Sequence, residues 1–224
     1  MRLRRRSLSF AAALCLASAV AMGAPPGSIV VKVTLEREGR SVDPRGLVVY
    51  LADVPMDDKH PAADGGHPLI TQENLSFTPS LTVVPKGATI EFPNSDKVFH
   101  NVFSISAAKK FDLGLYKSGA SKAVTFDEPG TIDVFCNIHP QMIAKILVVD
   151  SVFVARPGSE GAFALAGVPP GEHTLIVWQP AGEPATASVR VRSAQASTVE
   201  LKLIVSNTPP RHLRKDGTPY GRYK

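Results

Sequence analysis

An all-β architecture of two small sandwiches is what this sequence predicts, and three observations carry the prediction. Short runs rich in Val, Ile, Thr and Phe recur along the 224-residue chain, each closed by a cluster of Gly, Pro, Asn or Asp. That is the punctuation of strands and turns. No useful length of the chain carries apolar residues at helical spacing. Past Asp150 the texture changes, with a Gly/Pro-rich connector followed by a fresh set of strands. With 44% hydrophobic and 20% charged residues the chain can bury a core and is not disordered overall. Its length allows one large domain or two small ones.

The N-terminus reads as an export signal over residues 1–23. Arg2, Arg4, Arg5 and Arg6 form a basic head, residues 8–21 an apolar stretch, and small residues at 19–23 suit a signal peptidase. The apolar stretch is short for a bilayer and rich in small residues, so cleavage is expected rather than anchoring. No later segment is apolar for long enough to span a membrane. Of the net charge of +5, the four leader arginines account for +4, leaving the mature chain near +1. Residues 206–224 hold Arg211, Arg214, Lys215, Arg222 and Lys224 against Asp216. They are predicted to form a mobile basic tail, and the body is then slightly acidic. Nothing resembles a nucleic-acid footprint.

Strands are expected in chain order at 29–35 and 46–52, then, after a polar loop at 55–68, at 81–84, 88–92, 100–105, 122–126, 130–135 and 143–149. Beyond the connector they are expected at 161–165, 171–178, 187–191 and 198–205. Most of these runs mix β-branched residues with partial alternation, the pattern of half-buried strands.

Cys15 leaves with the leader, so Cys136 is the single cysteine of the mature chain. A lone thiol in an exported protein has no disulfide partner. A buried inert cysteine is the plain explanation, but its neighbours point elsewhere. Cys136, His139 and Met142 share one short loop, and His100-Asn101 lies upstream. One thiolate, two imidazoles and one thioether are the donor set of a mononuclear blue-copper electron-transfer site, a trigonal His₂Cys plane with a weak axial Met. Zinc also takes Cys and His, but thioether favours copper. His60 and His67, with Asp57, Asp58 or Asp64, offer only a weak second site in a polar loop. His173 and His212 have no suitable neighbours in sequence.

These residues carry a resemblance. Residues 70–150 resemble a cupredoxin of the plastocyanin/amicyanin type. Phe77-Thr78-Pro79-Ser80-Leu81-Thr82-Val83-Val84-Pro85-Lys86-Gly87 looks like the family's opening strand and turn. Phe92-Pro93-Asn94-Ser95-Asp96, then His100-Asn101-Val102, looks like its first-ligand segment. The Cys-x-x-His-x-x-Met loop, with Pro140 after the histidine, is similar to the short amicyanin loop. The resemblance implies a Greek-key sandwich holding one type 1 copper on His100, Cys136, His139 and Met142. It also implies that Asn101 fastens the two ligand segments by hydrogen bonding. Asn137-Ile138 departs from the Thr or Ser and Pro of many relatives.

The run Gly161-Ala162-Phe163-Ala164-Leu165, with Gly167-Val168-Pro169-Pro170-Gly171-Glu172-His173-Thr174-Leu175, resembles the carboxypeptidase regulatory-like (transthyretin-like) β-sandwich. The expected organisation is a cupredoxin at 68–150 inserted into a discontinuous sandwich of 28–54 and 151–205. The alternative is contiguous, with 28–150 as the cupredoxin and 151–205 as a small β module. The two-part layout is similar to methylamine-utilisation proteins. The function implied is a periplasmic one-electron carrier with a protein redox partner, not an enzyme. A copper oxidase or nitrite reductase would need a second copper centre, and no His-x-His pair occurs. The alternative is a copper-binding structural or copper-delivery protein that docks through its second sandwich.

Overall fold

The computed structural model describes residues 24–55, 67–157, 161–205, 214–216 and 218–219. The leader, the histidine-containing part of the 55–68 loop except His67, and most of the tail lie outside them. The strands β1 (Gly27–Arg37), β2 (Arg40–Ser41) and β3 (Val48–Leu51) come first. A run follows of β4 (Thr71–Glu73), β5 (Ser76–Thr78), β6 (Leu81–Pro85), β7 (Ala88–Pro93), β8 (His100–Ser106), β9 (Lys109–Tyr116), β10 (Ser121–Phe126), β11 (Gly130–Phe135) and β12 (Ile143–Val149). Then come β13 (Val154–Ala155), β14 (Ala162–Val168), β15 (Gly171–Trp178), β16 (Ala185–Val191) and β17 (Ala196–Ile204). The fold is all-β. Among the described residues no helix is long and apolar enough to cross a membrane.

The middle run builds one sandwich. A five-stranded sheet in the order β6-β12-β11-β8-β9 packs on the antiparallel pair β10-β7. Ile90, Phe92, Val102, Phe126, Ile132 and Ile146, all fully buried, fill the space between. The flanking strands build the other. One sheet runs β14-β1-β17, the second β13-β3-β15-β16, and Ile29, Val49, Leu51, Phe163, Leu175 and Val177 meet between them. Strand β1 lies antiparallel to β14 and parallel to β17. Thus the N-terminal strands pair with strands that follow residue 150. The outgoing and returning connections touch, with the Val152 amide donating to the Val54 carbonyl at 3.3 Å.

The two sandwiches share a seam. In β12, Ala144, Ile146 and Val148 enter the first core, while Leu147 and Val149 join Val48 and Trp178 in a separate buried cluster. A strand covered on both faces must be apolar throughout, which is why 146–149 reads Ile-Leu-Val-Val. The Trp178 indole N–H donates to the Thr131 hydroxyl at 2.8 Å across this seam.

Strand β9 and the β4–β5 hairpin were not expected from sequence. Strand β9, Lys-Lys-Phe-Asp-Leu-Gly-Leu-Tyr, sits at a sheet edge, where charge and Gly114 (φ 66°) are tolerated and the strand pattern is diluted. The β4–β5 hairpin has only three residues per strand. Its turn residues Asn74 and Leu75 both have positive φ, 53° and 55°, and leucine is no turn signal.

Candidate metal centre

The end of the first sandwich where β8 begins and β11 ends brings the candidate donors together. Strand β8 starts on His100 and runs antiparallel to β11, so its first residue and the residue after β11, Cys136, fall at the same edge. Phe135 pairs with Ile143 at the base of the hairpin, and 136–142 is the loop it closes. That loop is held from within. The Cys136 amide donates to the Met142 carbonyl at 3.3 Å and the Met142 amide to the His139 carbonyl at 3.1 Å.

Nδ1 of His100 lies 3.0 Å from Nδ1 of His139, which lies 3.7 Å from Cys136 Sγ. One donor atom from each of the three residues falls within 4.8 Å of the others. His100, Cys136 and Met142 are 0% exposed, and His139 is half-buried. Met142 lies in the same core cluster as Cys136. Cys136 is in no disulfide.

The orientation of His100 has a cause that the sequence pattern did not single out. Its Nε2 donates to Asp96 Oδ2 at 2.7 Å. With that nitrogen carrying the proton, the Nδ1 lone pair faces the other donors. Asp96 is itself held, accepting from the amides of Asn74 (2.7 Å) and Leu75 (2.9 Å) in the positive-φ hairpin turn. Burial pushes the Asp96 carboxyl up, but the Leu75 and Asn74 amides and the His100 ring outweigh it and hold it below the ordinary carboxylate range. Asn94 fixes the intervening turn, donating to the Val98 and Tyr116 carbonyls and accepting from the Asp96 amide. For His139, burial and then repulsion from the neighbouring His100 ring push the imidazole below its usual range, with Asp96 opposing. That favours the neutral form a metal needs.

Asn101 departs from expectation. Its side chain is buried, yet its Nδ2 donates at 2.7 Å to Asp112 Oδ1 on the edge strand rather than to the Cys136 loop. Its Oδ1 is buried without a hydrogen-bond partner among the described residues. A register shift between Asn101 and Phe103 turns the side chain toward β9. Asp112 also accepts from the Gly114 amide and, at 2.8 Å, from Lys215 Nζ. The expected mobile tail therefore makes a contact here, since Lys215 reaches the sandwich. His173, which belongs to no cluster of potential metal donors among the described residues, is held by hydrogen bonds. Its Nδ1 meets Asp53 Oδ2 at 2.8 Å and its Nε2 the Pro169 carbonyl at 2.8 Å. Of the second-site candidates only His67 is described, 3.3 Å from Glu91. Apolar side chains face solvent beside the site, with Phe99 56% and Val98 45% exposed.

Residues 68–149 match the family described as copper binding proteins, plastocyanin/azurin family. Amicyanin from Paracoccus versutus is 30% identical over 104 residues, 45% of this chain and 71% of the relative. The chain belongs to the plastocyanin/azurin family. Among solved structures it is similar to a reduced tryptophan-to-tyrosine variant of amicyanin, at 24% identity over 38% of this chain and 84% of that one, with a TM-score of 0.36. It is also similar to a purple cupredoxin from Nitrosopumilus maritimus, at 24% identity over 36% and 96% of the two chains, with a TM-score of 0.32.

Copper is the cofactor that family membership brings, and the donor set fits it. Metal–nitrogen bonds of about 2.0–2.1 Å and metal–thiolate bonds of about 2.3 Å are compatible with the 3.0 and 3.7 Å that separate His139 Nδ1 from His100 Nδ1 and Cys136 Sγ. A buried thiolate beside two imidazoles and a buried thioether is soft enough for Cu(I) and suited to Cu(II).

Proposed function

We propose that this protein is a one-electron carrier that exchanges electrons with a protein partner through a type 1 copper centre held by His100, Cys136, His139 and Met142. Copper bound there supplies a Cu(I)/Cu(II) couple. The observation that carries the reading is the convergence of His100 Nδ1, His139 Nδ1 and Cys136 Sγ at the rigid ends of paired strands. Strand ends and a short braced loop cannot swing far, so the donors keep one geometry in both redox states. Asp96 holds the His100 ring, and the two backbone bonds inside 136–142 hold the loop. Met142, buried in the same core cluster as Cys136, would supply a weak thioether contact that tunes the potential. His139, the one half-exposed donor, gives the electron its way out, with Phe99 and Pro140 forming an apolar rim for a partner.

Members of this family are generally electron carriers, and a carrier rather than an enzyme is the role we assign. Copper delivery would need a metal that leaves easily, whereas three of the four donors have no solvent exposure. The test is the spectrum of the purified protein loaded with Cu(II). Intense thiolate-to-copper absorption that bleaches on reduction and returns on oxidation is expected. Colourless, tightly held Cu(I) that does not cycle would replace the carrier reading with storage or delivery.

We further propose that 68–150 is a cupredoxin inserted into a discontinuous carboxypeptidase regulatory-like sandwich of 28–54 and 151–205. The pairing of β1 with β14 and β17, and of β3 with β15, supports this division. Export to the periplasm is supported by the composition of residues 1–23 and by the single cysteine that remains after them. An N-terminus beginning near residue 24 in the periplasmic fraction would establish it.

A further inference from the structure

The two segments that bear the donors are the start of β8 and the loop 136–142. Asn101, the residue best placed to join them, sends its amide to Asp112 instead, and its carbonyl oxygen has no partner among the described residues. Asn137, directly after Cys136, is engaged from another direction. Its Oδ1 accepts the backbone N–H of Lys215 at 3.2 Å, while Lys215 Nζ donates to Asp112 Oδ2 at 2.8 Å. One tail residue therefore touches both sides. The path runs from Asn101 to Asp112, through Lys215, to Asn137.

We propose that Lys215 is a positioning residue for the copper centre, a clamp from the C-terminal tail that ties the His100 segment to the Cys136 loop. The proposal rests on the reading of His100, Cys136, His139 and Met142 as the copper donors. The local structure of the tail presents Lys215 for this. The Arg214 amide donates to the Thr218 carbonyl at 2.9 Å, and Asp216 Oδ1 accepts from the Thr218 amide at 2.9 Å and from its hydroxyl at 2.6 Å. An Asp that caps the residue two positions on closes a tight turn. Lys215 lies on this turn, with its side chain directed to Asp112.

The clamp is not a device for global stability. The Lys215 and Asp112 side chains are 49% and 39% exposed, and exposed ion pairs contribute little to folding. Its effect is on geometry. Asp112 is the acceptor that orients Asn101, whose backbone continues from His100. Asn137 is the first residue of the loop after the thiolate. Loosening either end lets the donors drift between redox states, which slows electron exchange. Salt weakens the Nζ contact but not the backbone N–H to Asn137.

The test compares Lys215→Met, Lys215→Arg and a chain ending at Thr208 with the full-length protein. Lys202→Met is the control, since it removes the same charge from a side chain that meets Glu36 in the other sandwich. In metal-free protein, amide hydrogen exchange over 137–141 should quicken about tenfold in Lys215→Met and in the truncation. It should stay at the wild-type rate in Lys202→Met and be largely restored in Lys215→Arg. In copper-loaded protein the first two should lose electron self-exchange rate by about 10-fold, the lower end of the range for residues that orient ligands, and shift their EPR parameters. Unchanged loop exchange, EPR and self-exchange in both would overturn the clamp. The metal-free measurement stands by itself. If the wild-type protein shows no blue absorption, the carrier reading fails while loop protection by Lys215 is still decided.

Discussion

Each sandwich contains a buried histidine tied to an aspartate, and the two pairs have different ends. In the first, His100 Nε2 meets Asp96 at 2.7 Å; in the second, His173 Nδ1 meets Asp53 at 2.8 Å. Both carboxylates are pinned by backbone amides as well, Asp96 by Asn74 and Leu75, Asp53 by Thr174 at 2.7 Å. The difference is the second ring nitrogen. That of His173 is spent on the Pro169 carbonyl at 2.8 Å, so the ring is a closed cross-link between the end of β3 and β15. That of His100 faces His139 and Cys136, so the ring offers a lone pair to a metal. A carboxylate–histidine pair says nothing by itself about function. What the other nitrogen meets decides between a structural pin and a ligand.

The comparison can be broken most severely at the donor set. Cys136→Ser should abolish the thiolate-to-copper absorption completely, because a hydroxyl is no substitute for a soft thiolate. A mutant that stays blue would remove the basis for treating His100 as a ligand.

Parallel neutralisation of the two aspartates sharpens it. Asp96→Asn removes a negative charge beside a donor ring, which favours Cu(I) over the more highly charged Cu(II). We expect a raised reduction potential and roughly 10–100-fold weaker copper binding. Asp53→Asn should leave the potential and the copper affinity alone and cost about 1 kcal/mol in chemical denaturation, as one partly exposed charge-assisted bond is weakened. Equal shifts in potential from both variants would erase the distinction drawn here.

Met142→Leu is a smaller change. Copper should remain bound with an altered potential, measured by voltammetry, since an axial thioether is a weak bond. Loss of all copper would make Met142 a principal ligand rather than a tuning one.

Acid should affect both pairs in the same direction. Burial opposes the shift in each aspartate, but the amide and histidine hydrogen bonds hold both carboxyls below the ordinary 3.8. A depressed folded value means the stabilisation is present above the unfolded pKa and is lost as pH falls through the folded one. Thermal melts of the metal-free protein should thus lose Tm on acidification below about pH 4, and Asp53→Asn should flatten part of that loss. An unaltered acid profile in the variant would mean that the Asp53 pair carries no linked stability.

The smallest effect is expected at the seam. Trp178→Phe deletes the bond to Thr131, a loss of about 0.5–1.5 kcal/mol added to the cost of the smaller buried ring, with no change in the copper spectrum. A changed spectrum would show that the seam communicates with the metal centre.

The sequence by itself determined what depends on neighbours along the chain. Alternation and turn residues placed most of the strands, from β1 to β17, because a strand's buried face repeats every second residue. The two-sided burial at the end of β12 was written as the apolar run 146–149, after Lys145. Cys136, His139 and Met142 stood out because a single short loop carries all three. Edge strand β9 and the β4–β5 hairpin were missed, since charge, glycine and brevity dilute the same signals. Tertiary structure alone decided which distant groups meet. It brought His100 across to the loop, set Asp96 against the ring with two amides from a leucine-containing turn, and turned Asn101 toward Asp112. It joined His173 to Asp53 across 120 positions and Lys215 to Asn137 across 78. Such contacts leave no periodic trace, because each is a single pair whose partners are held by strand register and by turns elsewhere in the chain.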